Sequence, residues 1–555
     1  MSRLLQALLV PLLVAIAIPA ACLAAGNPSK AKAPDPRAWP TAYEATTVTA
    51  KDVLAAAKRT NGALGGPHTL RVAWTFSDGG LQGTGRVAWS GDDYRIDSTI
   101  GPFVTASGRV NGQHWETNDN GYTLLKRGIH QRAEANARAL EQTDPGDDVT
   151  LLGRLREPAD VYVLRIAPSS GRPELRFYDA STSRLVRRET TYLTALVVTT
   201  YSDFRTANAF TMAHHMTISD GHPENDEVWN ITDLKVDVPV APAELEVPGS
   251  RRLPVVLPPG VDRVRLPARI DRWGTVIVRL IVNGRGLDFE LDSGAGGIVL
   301  NRDVARELGL KVHGRWSSTV AGTFTSGRAV IPKVEIGTIV MNDIVVEALP
   351  FAYQNDWSTR VVGLLGFDFI AGCVLKIDYE HGIVEAIRGE SFEPPANGLV
   401  LDAILDDSVP MVWLRVNGVV GERFIVDTGS DSVIFFTGFA SKHAEAVDDH
   451  SPKKILSRLF PVVQASGVGG MLNIRPVMIA EMQLGTVLFK DYLAFVMAGE
   501  QPAFEGEDSD GLIGAATLRS FDVYFDYANS RVVLVPNGTT KPIPPKPPAV
   551  TPQKG

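Results

Sequence analysis

Two aspartates, each closing an apolar run and followed by a small hydroxyl residue and a glycine, are the residues best suited to do chemistry. The first stands in Phe289-Glu290-Leu291-Asp292-Ser293-Gly294-Ala295. The second stands in Phe424-Ile425-Val426-Asp427-Thr428-Gly429-Ser430, 135 positions later (427 − 292). A duplicated loop of this kind suggests two half-sites that supply one carboxylate each. Two carboxyls held close together repel when both are charged, so the pair keeps one proton. One member can then take a proton from water while the other protonates a carbonyl oxygen, which is what hydrolysis of a peptide bond needs. The ionisation belongs to the pair, so acid and base are assigned to neither residue. The glycines let the backbone turn tightly and let the loops approach without side chains between them.

The elements around the two loops repeat as well. The apolar segments 276–282 and 411–416 are each followed by Asn-Gly, at Asn283-Gly284 and Asn417-Gly418. Asn-Gly favours a tight hairpin turn, so each half opens with a hairpin whose second strand ends at the aspartate. Downstream, Gly363-Leu364-Leu365-Gly366 matches Gly511-Leu512-Ile513-Gly514, and strands ending Ile377-Asp378-Tyr379 and Phe525-Asp526-Tyr527 follow. The interval from aspartate to this motif is 71 positions in the first half (363 − 292) and 84 in the second (511 − 427), with the excess expected in 444–459. One Asp-Thr-Gly alone is a common turn after a strand. Two copies with matched flanks are far more specific.

These motifs, over roughly 265–537, resemble the retropepsin-like and pepsin-like aspartic peptidases in a tandem form found in exported bacterial proteins. The resemblance implies a mainly β fold, with two acid-protease lobes related by a pseudo-twofold axis and a cleft between them. It makes Asp292 and Asp427 the catalytic dyad of an aspartic endopeptidase. The hydroxyls of Ser293 and Thr428 should bond across to the opposite loop, with Gly294 and Gly429 completing the loops. Leu364, Leu365, Leu512 and Ile513 should pack behind them, while Gly366 and Gly514 leave room for the chain crossing. Flap candidates are 320–324, with Gly322 at its tip, and 466–471, with Gly467, Gly469 and Gly470. The halves are unequal. Gly296 and Gly297 follow the first motif, Asp431 lies just behind the second, and Asp368 of the first half is replaced by Ala516. A catalytically inactive pair of lobes that binds peptide or lipid is therefore the alternative.

Ahead of the repeat, short alternating segments from 69 to 236 are separated by turn residues, the pattern of antiparallel strands. Thr49 and Asp52 form a capping box for a helix through Lys58, and 129–142 is a second helix candidate. A curved antiparallel sheet with a helix against it is expected. Phe177-Tyr178-Asp179, Arg184-Leu185-Val186-Arg187-Arg188 and Thr200-Tyr201-Ser202-Asp203-Phe204-Arg205 give this segment a resemblance to the periplasmic lipoprotein-carrier superfamily, which implies an apolar cleft for a lipid or peptide. Asn301 and Gly309 bracket a short structural helix. His214 and His215 are adjacent on a strand and point to opposite faces, so they do not suggest a shared metal.

A chain of 555 residues is long enough for roughly three or four domains. Its 21% charged and 44% apolar content is that of a globular protein, and a net charge of -8 gives no reason to expect nucleic acid. Residues 1–25 read as a secretory signal: Arg3, an apolar run, then small residues. Export to a bacterial periplasm is expected, with lipid anchoring at Cys22 the lesser reading. Cys373 is then the one thiol remaining, which suits a small core residue and excludes an internal disulfide. The expected organisation is a leader at 26–44, an N-terminal domain at 45–249, a proline-rich linker at 250–267, a first lobe at 268–393, a linker at 394–400, a second lobe at 401–537 and a proline-rich tail at 538–555. Neither cofactor nor metal is implied. The expected partners are a peptide or protein substrate and a lipid or lipoprotein at the N-terminal domain, and the chain should be a monomer because it already holds both lobes.

Overall fold

A computed structural model describes residues 37–62, 69–126, 147–167, 173–192, 195–249, 255–319, 323–354, 359–405, 408–467, 470–498 and 509–538. The signal sequence with Cys22, the 129–142 helix candidate, Gly322, Gly469 and nearly all of the tail lie outside them. The chain divides into two compact units, with the change near residue 251.

The N-terminal unit is one 13-stranded antiparallel sheet. Its strands run in reverse sequence order from Thr123–Leu125 to Thr69–Asp78, continue with Glu227–Val236, and return in reverse order to Asp148–Leu155. The helix Ala50–Thr60 starts at the Thr49 capping box, with Asp52 N donating to Thr49 Oγ1 and Thr49 N to the Asp52 carboxylate. It buries Val53 and Ala57 against Leu164, Tyr178 and Leu185.

The second unit is mainly β and consists of two lobes joined by a shared sheet. Six strands form that sheet in the order Arg263–Arg265, Ile383–Ile387, Val374–Asp378, Phe521–Asp526, Arg531–Pro536, Leu399–Asp402. The order is symmetric about its middle, where Leu375 pairs with Phe525 and Ile377 with Val523. The two halves of the chain therefore meet through equivalent strands, as a pseudo-twofold requires. Cys373, next to this junction, is buried, and burial pushes its thiol up to about 12.

Each lobe opens with the hairpin its turn residues favour. Asn283 and Gly284 take φ of 49° and 79°, and Asn417 and Gly418 take 46° and 89°. The strands Arg285–Leu291 and Val419–Val426 then run parallel to Arg360–Leu365 and Gly511–Ile513. Parallel pairing needs a long crossover, and it contains the hairpin of Thr323–Ile336 with Ile339–Leu349 in the first lobe and of Gly470–Leu484 with Val487–Met497 in the second. In the second lobe the longer crossover holds 444–459, anchored by Asp449, whose carboxylate accepts from Ser451 N, Ser457 N and Met478 N. The short helix Arg302–Glu307 is capped by Asn301, which accepts from Asp303 N and Val304 N.

Candidate active site

Both aspartates sit at the ends of central strands. Asp292 N donates to Leu365 O at 3.1 Å and Asp427 N to Ile513 O at 3.0 Å, so each motif is tied to its own apolar-apolar-Gly partner. Leu364, Leu365 and Leu512 are fully buried behind the loops, as is Ile513. Gly366 and Gly514 lie where the chains cross. A Cβ there would come within 2.3 Å of Gly297 O and 2.4 Å of Ser430 O respectively.

The loops face each other through four hydrogen bonds. Ser293 N donates to Thr428 Oγ1 at 3.0 Å and Thr428 N to Ser293 Oγ at 3.0 Å. Ser293 Oγ donates to Val426 O and Thr428 Oγ1 to Leu291 O, both at 2.8 Å. Each hydroxyl thus accepts from the opposite loop and donates to the strand before it. Gly294 N and Gly429 N donate inward to Oδ1 of Asp292 and Asp427, both at 2.8 Å. Thr428→Val keeps the shape but removes one acceptor and one donor in a buried place. It is expected to lower unfolding free energy by about 2 kcal/mol, read from urea denaturation of the full chain.

The two carboxyls face each other across the loops, each lying against the glycine of the opposite loop, and each residue is 1% exposed. Burial, opposed by their hydrogen bonds, raises the Asp292 carboxyl. Burial, then the charge of Asp292, raises Asp427 far above the ordinary range. Such a pair retains a proton well above the pH at which a free carboxyl loses it. Tyr527, buried beneath, stacks on Phe367 at 5.7 Å, and its hydroxyl is raised by burial and by both aspartates.

The inequality of the halves has a local counterpart. In the first lobe the buried Asp368 stands beside Gly297, whose Cβ would lie 3.2 Å from its Oδ2. In the second lobe Ser432 occupies the place of Gly297, Ala516 that of Asp368, and a buried carboxyl comes from Asp431. Each lobe therefore places one extra buried carboxyl near its loop, from a different element. The hairpins where the flaps were expected are unequal too. Phe324 at the start of the strand Thr323–Ile336 packs against apolar clusters of both lobes. Gly467 pairs with Gly470 across the tip of the second hairpin. Sequence reasoning passed over Glu290, buried two residues before Asp292 and holding the Tyr353 hydroxyl at 2.6 Å. The signal was present as an acid where the second copy has Ile425.

The C-terminal half of the sequence matches a known family. The aspartyl protease family model matches two tandem segments, 278–369 and 412–517, each holding one aspartate loop. An aspartic proteinase from Irpex lacteus aligns at 12% identity over 50% of this chain and 98% of its own, with a TM-score of 0.31. A LolA superfamily protein from Nitrosomonas europaea aligns at 14% identity over 36% of this chain and 98% of its own, with a TM-score of 0.29. No curated protein matches the sequence. The C-terminal half is thus built as two aspartyl-protease-like lobes in tandem.

Proposed function

We propose that the protein is an exported aspartic endopeptidase in which Asp292 and Asp427 share one proton and activate a water against a peptide carbonyl. The observation that carries this reading is the pair of buried carboxyls held face to face by the Ser293 and Thr428 cross-bonds. In such a site the charged carboxylate takes the proton of the water while the protonated partner donates to the carbonyl oxygen. The carboxyl that took the water proton then passes it to the amine nitrogen as the C–N bond breaks, and the diol hydroxyl returns a proton to the partner carboxyl, which restores the singly protonated pair. No cofactor enters this chemistry, and the rigid loops supply the orientation. The Ser293 and Thr428 network spends the hydroxyls on the backbone, which leaves the carboxyls as the reacting groups.

The N-terminal unit fits a substrate-presenting role. It contains a cavity of about 670 Å³ lined in part by Trp39, Pro158, Val198 and Thr200. Arg37, Glu157 and Arg187 stand beside those apolar side chains, so the lining suits a peptide or lipoprotein segment that carries both apolar and charged groups. No helix among the described residues is long and apolar enough to cross a membrane.

The test is cleavage of a mixed peptide library by the purified chain, with a statine-type peptide as competitor. Statine carries a tetrahedral hydroxyl carbon in place of the scissile carbonyl, so the dyad should hold it tightly. Cleavage that the statine peptide suppresses supports the proposal. A protein that binds the statine peptide but cuts nothing would be the inactive two-lobed binder.

A further inference from the structure

Strand register aligns a row of side chains across each lobe, on the face where the clusters joined by Phe324 lie. In the second lobe the row is Met411, Ile425, Leu512, Ile434, Phe495 and Pro476. All but Pro476 belong to one buried apolar cluster. The corresponding row of the first lobe is Ile277, Glu290, Leu364, Val299, Glu347 and Arg328. Its apolar members form a cluster with Phe351, Phe324 and Tyr353. Two glutamates thus stand where the pseudo-symmetric positions hold Ile425 and Phe495.

The two are not alike. Glu347 is cross-strand from Arg328 and is hydrogen-bonded by Ser326, so its charge is answered within the lobe. Glu290 accepts from the Tyr353 hydroxyl, and among the described residues the charges that act on it most, Asp292, Asp431 and Asp271, are negative. It is three strands from Glu347, about 14 Å at ordinary strand spacing. Alternate residues of a strand share a face, so Glu290 opens to the same side as Asp292. The first-lobe row therefore carries one carboxyl beside the dyad, Glu290, with the acid and base Glu347 and Arg328 three and four strands away, and the second-lobe row is apolar throughout.

We propose that Glu290 makes the first-lobe wall a subsite for a basic side chain, lysine or arginine, flanking the scissile bond. This rests on the peptidase reading of the cleft. Lysine suits both features of the wall: its four methylenes pack on Phe324 and Tyr353, the partly exposed members of the first-lobe cluster, while the ammonium reaches the carboxylate. Burial and the adjacent Asp292 raise the Glu290 carboxyl well above the ordinary carboxylate range. An arriving ammonium favours the ionised form, so binding transfers the Glu290 proton to solvent.

The experiment measures affinity of the full chain for statine peptides that differ only in lysine or norleucine, placed on each side of the statine in turn. Wild type should bind one lysine peptide about tenfold to a hundredfold more tightly than its norleucine match, releasing a proton to buffer as it does. Glu290→Leu should abolish or invert that preference. Glu290→Gln matches the protonated acid in shape, keeps an acceptor for Tyr353, and should lose both the preference and the proton release without disturbing the fold. Equal affinity for the pair in wild type, or a preference that survives Glu290→Leu, overturns the subsite. Lysine selection without any cleavage would remove the peptidase reading and leave the subsite standing. Cleavage without lysine selection would do the reverse, and no binding of any peptide would end both.

Discussion

Asp292→Asn and Asp427→Asn are each expected to lower kcat/KM on a cleaved peptide by at least about a thousandfold, since each removes one half of a shared acid-base pair. The double variant should be no worse than either single one, because groups that act as a unit are not additive. Asparagine nearly matches the carboxyl in shape and can still accept the Gly294 or Gly429 amide, so the loss is one of chemistry and not of folding. Stability should move the other way. Both carboxyls are raised by burial, so the folded protein binds the shared proton more tightly than the unfolded chain does. That stabilisation is complete below the unfolded value of about 4 and is lost as pH rises through the raised range of the pair. An asparagine variant lacks the loss. Its urea midpoint at pH 7 should exceed that of wild type, and its stability should fall less between pH 4 and pH 7. A variant with wild-type activity would sink the one-dyad mechanism. An Asp427→Asn protein no more stable than wild type at pH 7 would mean that the pair is not held under repulsion.

What could be read from sequence was local chemistry. Asn283-Gly284 and Asn417-Gly418 specify their turns by φ preference alone, and Thr49 with Asp52 specifies a helix start. The aspartate loops could be found because two copies carry the same flanks. The alternation from 69 to 236 displays strands because one face of each is buried, but it does not say that Thr69–Asp78 pairs with Glu227–Val236. That pairing joins segments far apart in the chain and depends on register, which no short window contains. The same limit hid Glu290 and Glu347. Their meaning depends on lying in one row with Leu364 and Val299, and only pairing between strands makes the row. Both exchanges, Asp368 for Ala516 and Gly296 for Asp431, were visible, while the fact that each leaves one buried carboxyl near its own loop requires the loop and the following helix to be seen side by side.

The two loop glycines should be as sensitive as the aspartates. A Cβ at position 429 would sit 2.7 Å from Asp292 Cγ, and one at 294 would sit 2.6 Å from Asp427 Cγ. Neither carboxyl can swing away cheaply, because each also holds the amide of its own loop and the four cross-loop bonds fix the backbones. Gly429→Ala and Gly294→Ala must therefore push the carboxyls apart. Misplacing a reacting group by about 1 Å can cost about a hundredfold, so kcat is expected to fall at least that far. Separation also weakens the repulsion between the pair, so the two apparent pKa values of the pH-rate profile should draw together. Gly284→Ala is the control. Its φ of 79° makes alanine unfavourable there, but nothing lies within 4 Å of the new Cβ. It should cost about 1 kcal/mol of stability and leave kcat unchanged. If Gly429→Ala behaves like Gly284→Ala, losing stability but keeping kcat, the loops do not meet closely enough to share a proton. If kcat and the spacing of the two pKa values change together, the contact between the loops is what creates the acid and the base.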